Sequence, residues 1–158
     1  MLLLLLRRVA VLVTAGTLAC GSHPSTPAPQ SMNDAVTQFM AAVKVKDLDR
    51  MGRLWGSERG PAASYMKADE LKKRVSVLQI YLANDGYRIL EGPQPVPGKD
   101  NQRTYRIELQ RRECNVTTSV DIIRANDGGW FVYDVHLADL SNPAAACKPK
   151  GTGTGPGS

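Results

Sequence analysis

The chain is poor in the residues from which most enzyme sites are built. Its 158 residues include two histidines and three cysteines, and only 6% are aromatic. It has no serine nucleophile elbow, no Walker-type phosphate loop, no His-Glu-x-x-His and no pair of Cys-x-x-Cys motifs. These absences exclude the common signatures of serine hydrolases, nucleotide hydrolases, zinc proteases and zinc modules. Neither His23 nor His136 stands at metal-ligand spacing from the cysteines, so no metal and no cofactor is expected. A large excess of one charge is also missing. The net charge is +5, and the densest basic cluster, Lys72-Lys73-Arg74, fits a solvated helix face, so no nucleic-acid partner is expected. Nor is there an apolar run of the roughly 20 residues that a membrane-spanning helix needs, because Arg7 and Arg8 interrupt the leucines that follow Met1.

The first twenty residues, MLLLLLRRVAVLVTAGTLAC, have the parts of an export signal. Arg7 and Arg8 form a positive n-region, Val9–Leu18 an apolar h-region, and Ala19 is a small residue before Cys20. This ending resembles the bacterial lipobox; Ala19 and Cys20 fit that pattern, whereas Thr17 and Leu18 depart from it. The resemblance implies lipid attachment at Cys20, with membrane anchoring through acyl chains worth about 0.8 kcal/mol per buried CH₂. Removing residues 1–19 takes Arg7 and Arg8 with it, which leaves 139 residues and brings the charge from +5 to +3. The expected location is the bacterial cell envelope, facing periplasm or surface. Gly21 and Ser22 lack the aspartate that retains some lipoproteins at the inner membrane, which favours the outer one.

Residues 20–30 end in GSHPSTPAPQ and read as a flexible tether, and the KPKGTGTGPGS ending makes 148–158 a disordered tail. Between them, 31–147 has the length of one domain. With Cys20 acylated, Cys114 and Cys147 are left to pair in an oxidising compartment. Closing that loop of about 33 residues is worth roughly 3–4 kcal/mol in the chain-entropy model.

From Asn33, the apolar stripe Val36, Phe39, Met40 and Val43 predicts an amphipathic helix. Asp47 caps a short second helix, DLDRMGRLW, which residues 56–61 break. Leu71, Val75, Leu78 and Leu82 mark a third, over 69–82, and no strand is evident between the second and third. The period then changes to two. Strands are expected at 87–91, 104–112, 115–124 and 130–137. The proline-bearing GPQPVPGKDNQ is read as a loop between the first two, and Asn126-Asp127-Gly128-Gly129 as a hairpin turn between the last two. The fold class is α+β, with three helices packed on an antiparallel sheet of about four strands.

This element order, with the ending Gly129-Trp130-Phe131-Val132-Tyr133-Asp134-Val135, resembles the NTF2-like superfamily. The resemblance implies a curved sheet closed by helices over a pocket. It does not choose a function, since that superfamily holds isomerases, dehydratases, transport factors and lipoproteins of unassigned role.

Asp134 and His136, two apart on the last strand, form the best acid/base pair available. Alternation puts Phe131, Tyr133, Val135 and Leu137 on the core side and turns Trp130, Val132, Asp134 and His136 outward. Trp55, Tyr81, Tyr105 and Trp130 are candidates to line a ligand pocket, although core packing accounts for such aromatics as well. Arg106, Glu108, Gln110 and Arg112 alternate with Tyr105, Ile107 and Leu109, as on a strand with one wet face. The expected function is a lipid-anchored binding or accessory module for a small molecule or another envelope protein. The alternatives are a small isomerase or dehydratase using His136 and Asp134, and a purely structural envelope component.

Overall fold

A computed structural model describes residues 27–112 and 114–140. The expected signal segment, lipid-attachment residue Cys20, Cys147 and tail lie outside the described residues. Helix α1 (Met32–Lys44) starts where Ser31 Oγ accepts the Asp34 N–H at 3.1 Å. It buries Val36, Phe39, Met40 and Val43, the stripe read from the sequence. Helix α2 (Leu48–Leu54) is capped by Asp47, whose Oδ1 accepts the Arg50 N–H at 2.9 Å. Helix α3 (Ala68–Leu82) buries Val75, Leu78 and Leu82. At its end the Arg111 guanidinium donates to the carbonyls of Tyr81 and Ala83. That contact satisfies carbonyls which the helix itself leaves without partners, and burial lowers the guanidinium's pKa.

Contrary to expectation, the break between α2 and α3 contains strands. β1 (Gly56–Ser57) and β2 (Gly60–Pro61) form a miniature hairpin, and Trp55 pairs in parallel with Val132. Two-residue strands carry no periodicity, so alternation had nothing to register. The second correction concerns the proline-bearing segment, which is not a loop. β3 (Gly86–Val96) runs through it and turns at Pro97-Gly98 into β4 (Lys99–Arg111), with register shifts along the pair. Bulges let the prolines sit on an edge strand without interrupting the pairing. At one irregularity Gly92 has φ +127°, and a Cβ there would stand 2.8 Å from the Tyr105 ring. β5 (Cys114–Arg124) and β6 (Trp130–Val135) complete the antiparallel order β3-β4-β5-β6. Asn126–Gly129 makes the expected reversal between the last two strands, with positive φ at Gly128.

The helices cover one face of this sheet. Tyr105, Ile107 and Leu109 from β4 join Val120 and Ile122 from β5 and Phe39, Met40, Met51 and Leu82 from the helices in one buried cluster. On the other face a small second cluster forms from Ile123, Ala125 and Phe131, with Ala28 packed on it. Of the expected tether, residues 27–30 are described and held against the domain. Pro29 is buried, and its carbonyl accepts the Trp130 N–H at 2.8 Å.

Candidate functional site

The geometry of the last strand decides where the candidate acid/base pair lies. In the β5–β6 ladder Ile122 faces Val132 and Asp121 faces Asp134, which leaves Tyr133 as an extra residue. Such a bulge resets the alternation. Val132 and Val135, three apart, therefore both enter the main core with Trp130. This corrects the expected side assignment: Tyr133 is exposed, and Phe131 belongs to the small cluster on the opposite face. Trp55 pins the bulge by donating its indole N–H to the Tyr133 carbonyl at 3.0 Å.

Beyond the bulge Asp134 and His136 are exposed. They lie beside Asp121, whose outward position on β5 is opposite to that of the core residues Val120 and Ile122. His136 Nε2 stands 3.1 Å from Asp121 Oδ2, and Thr104 Oγ1 donates to Asp121 Oδ1 at 2.6 Å. One ligand-type atom from each of Asp121, Asp134 and His136 lies within 4.8 Å of the other two. The backbone on either side of the imidazole is fixed as well. The His136 N–H donates to the Ser119 carbonyl at 3.0 Å, and its own carbonyl accepts the buried Thr118 hydroxyl at 2.9 Å. The hydrogen bond to Asp121 raises the His136 pKa above its ordinary 6.5. The negative fields of Asp121, Asp134 and Asp139 act in the same direction, and partial burial opposes them.

The candidate aromatics do not converge. Tyr105 is fully buried, and its hydroxyl donates to Asn33 Oδ1 at 2.6 Å; burial raises its pKa. Trp130 is a core residue, and Tyr81 is half-buried against the same cluster. Trp55 borders an open depression, a groove of about 250 Å³ between α3 and the end of β6. Val77, Leu78, Val135 and Leu137 also line it, with Arg74 and Asp134 contributing opposite charges. A second cleft of about 290 Å³ lies between α2 and α3, lined by residues including Leu48, Arg53, Met66 and Leu71. Cys114, at the start of β5, is half-buried.

Sequence reasoning missed Asp121, Thr104 and Arg74. The outward alternation of β5 carries a signal for Asp121, but pairing it with residue 134 requires the bulge. The Arg106–Glu108 wet face is where it was expected. It carries cross-strand ion pairs from Arg88 to Glu108 at 2.8 Å and from Arg106 to Glu91 at 3.4 Å. Among the described residues no helix is long and apolar enough to cross a membrane.

No protein-family profile matches the chain, and no curated protein matches it. Among solved structures it is similar to an NTF-2-like protein of unknown function from Shewanella oneidensis MR-1. The two are 14% identical, and the match covers 65% of this chain and 95% of that one at a TM-score of 0.35.

Proposed function

We propose that the protein is a lipid-anchored accessory module of the bacterial envelope, with an NTF2-like domain that holds a segment of another envelope protein. The observation that carries this reading is the contrast between a filled interior and an open groove. The space between helices and sheet is occupied by Phe39, Met40, Tyr105, Ile107 and Ile122. At the α3–β6 boundary, by contrast, Trp55, Val77 and Leu137 border a groove of about 250 Å³. It is open rather than enclosed, unlike the clefts that bury most of a small molecule's surface. Its apolar lining suits apolar side chains of a partner, and Arg74 is placed to orient a flanking polar group. The isomerase or dehydratase alternative has less support, because Asp134 and His136 are both exposed and His136 is turned to Asp121 on the outer side of β5.

The anchor rests on the signal and lipobox pattern ending at Cys20. With residues 27–30 packed on the domain, the seven residues 20–26 would span at most about 25 Å at 3.3–3.6 Å per residue. Such a tether keeps the module beside the bilayer. A bond between Cys114 and Cys147 would fasten the chain's C-terminal segment to the start of β5.

Two measurements test this reading. Intact mass spectrometry of the protein from a bacterial host should give a chain beginning at acylated Cys20 that gains two mass units on reduction. An unacylated chain would remove the anchor. Photo-crosslinking residues placed at Val77 and at Arg112 should give a discrete adduct in the native envelope from Val77 alone. Equal labelling from both positions would defeat the groove as the contact.

A further inference from the structure

The two carboxylates beside His136 pose an electrostatic problem. Asp121 and Asp134 are directly opposed in the β5–β6 ladder, an arrangement that is unfavourable for like charges. Among the described residues, neither forms an ion pair with a lysine or arginine; the His136 imidazole is the group set against Asp121. Asp139 adds further negative field at the same place. Thr104 meanwhile holds one Asp121 oxygen, which fixes the direction of the other toward His136. Around bound metal ions the ligating carboxylates are themselves held by outer hydrogen bonds, the part that Thr104 plays for Asp121.

We propose that Asp121, Asp134 and His136 form a binding site for a divalent transition cation of the zinc type, on the sheet face away from the helices. The donor set, one imidazole nitrogen and two carboxylate oxygens, is one that zinc accepts. The spacing supports the assignment. Zinc bonds of about 2.0–2.1 Å at a tetrahedral angle put neighbouring donor atoms about 3.3 Å apart, and His136 Nε2 and Asp121 Oδ2 are already 3.1 Å apart. The Asp134 donor, within 4.8 Å of the others, closes the site by a rotation that its exposed position permits. Three protein ligands leave a coordination position for water or for a donor from outside the chain. The cation would neutralise the opposed carboxylates and tie β6 to β5 beyond the bulge.

The test is calorimetric titration of the full mature chain with zinc chloride at pH 7.5, alongside Asp121→Asn, Asp134→Asn and His136→Ala. Thermal unfolding in excess chelator shows that each variant still folds. The expected result is one saturable equivalent of zinc, weakened by at least about tenfold in each variant, with a zinc-dependent rise in melting temperature in the parent only. Two outcomes overturn the proposal. One is no saturable binding by the parent at millimolar zinc. The other is parent-like binding by an Asp121→Asn/His136→Ala double variant, which would move the ion to His23 or the cysteines.

Discussion

Along β4 and β5 the two faces of one sheet are built from opposite chemistry. Toward the helices stand Tyr105, Ile107, Leu109, Val120 and Ile122, all buried in one apolar cluster. Away from them, Thr104, Arg106 and Glu108 stand opposite Asp121, Ser119 and Thr117, with ion pairs reaching across from Arg88 and Glu91. The first face draws its stability from area removed from water, which accumulates with every methyl group. On the second, exposed charge pairs each contribute little. The fold therefore depends mainly on the helix-covered face, while the other, apart from the small cluster of Ile123, Ala125 and Phe131, carries charge, which is where the acidic cluster around His136 is found.

Substitutions on the two faces should differ accordingly. Ile107→Ala, at a fully buried position, should cost about 2–5 kcal/mol in denaturant unfolding. A cost below that range would mean the helices pack loosely on the sheet. Gly92→Ala should cost about 1–3 kcal/mol, because its φ of +127° disfavours a side chain and the new Cβ meets the Tyr105 ring. An unchanged midpoint would show that β3 can shift there without loss. Tyr105→Phe should cost about 1–2 kcal/mol by removing the donor to Asn33 Oδ1, and Tyr105→Phe combined with Asn33→Ala should cost less than the two changes added. Arg88→Ala, on the outer face with its side chain 62% exposed, should fall within about 0.5 kcal/mol of the parent. A larger loss would mean that the outer pairs act as a network.

The helices and the two central strands were legible in the sequence because each is long enough for its apolar period to repeat. Phe39 and Met40 mark α1, and Ile107 and Leu109 mark β4. Elements shaped by irregular pairing were not. Pro93 and Pro95 read as loop because proline lacks the ladder donor, yet on an edge strand with bulges that donor is not needed. The side assignment of β6 failed from Trp130 to Tyr133 and held beyond it. Tyr133 is spliced into an otherwise alternating strand, and no local pattern distinguishes a bulged tyrosine from a paired one. The candidate site inherits that difficulty. His136 and Asp134 were visible as a pair, but Asp121 joins them only through the shifted register, and Thr104 only through the neighbouring strand.

The smallest expected effect sharpens the comparison by separating charge from burial on the outer face. With chelator present to keep metal away, His136 faces Asp121 across the β5–β6 pair and feels Asp134 and Asp139 from its own segment. These raise its folded pKa above the ordinary value, so between the two values the folded protein binds a proton that the unfolded chain does not. The stabilisation is fully present below about pH 6.5 and is lost as pH rises through the folded value. Stability measured by denaturant titration should therefore fall across that window in the parent. His136→Asn should remove this component, and Asp121→Asn should shrink it by deleting the largest cause of the shift. A core variant such as Ile107→Ala, less stable at every pH, should keep the parent's slope. If His136→Asn and the parent share the same pH dependence, the outer cluster does not couple protonation to folding, and the two faces differ in composition alone.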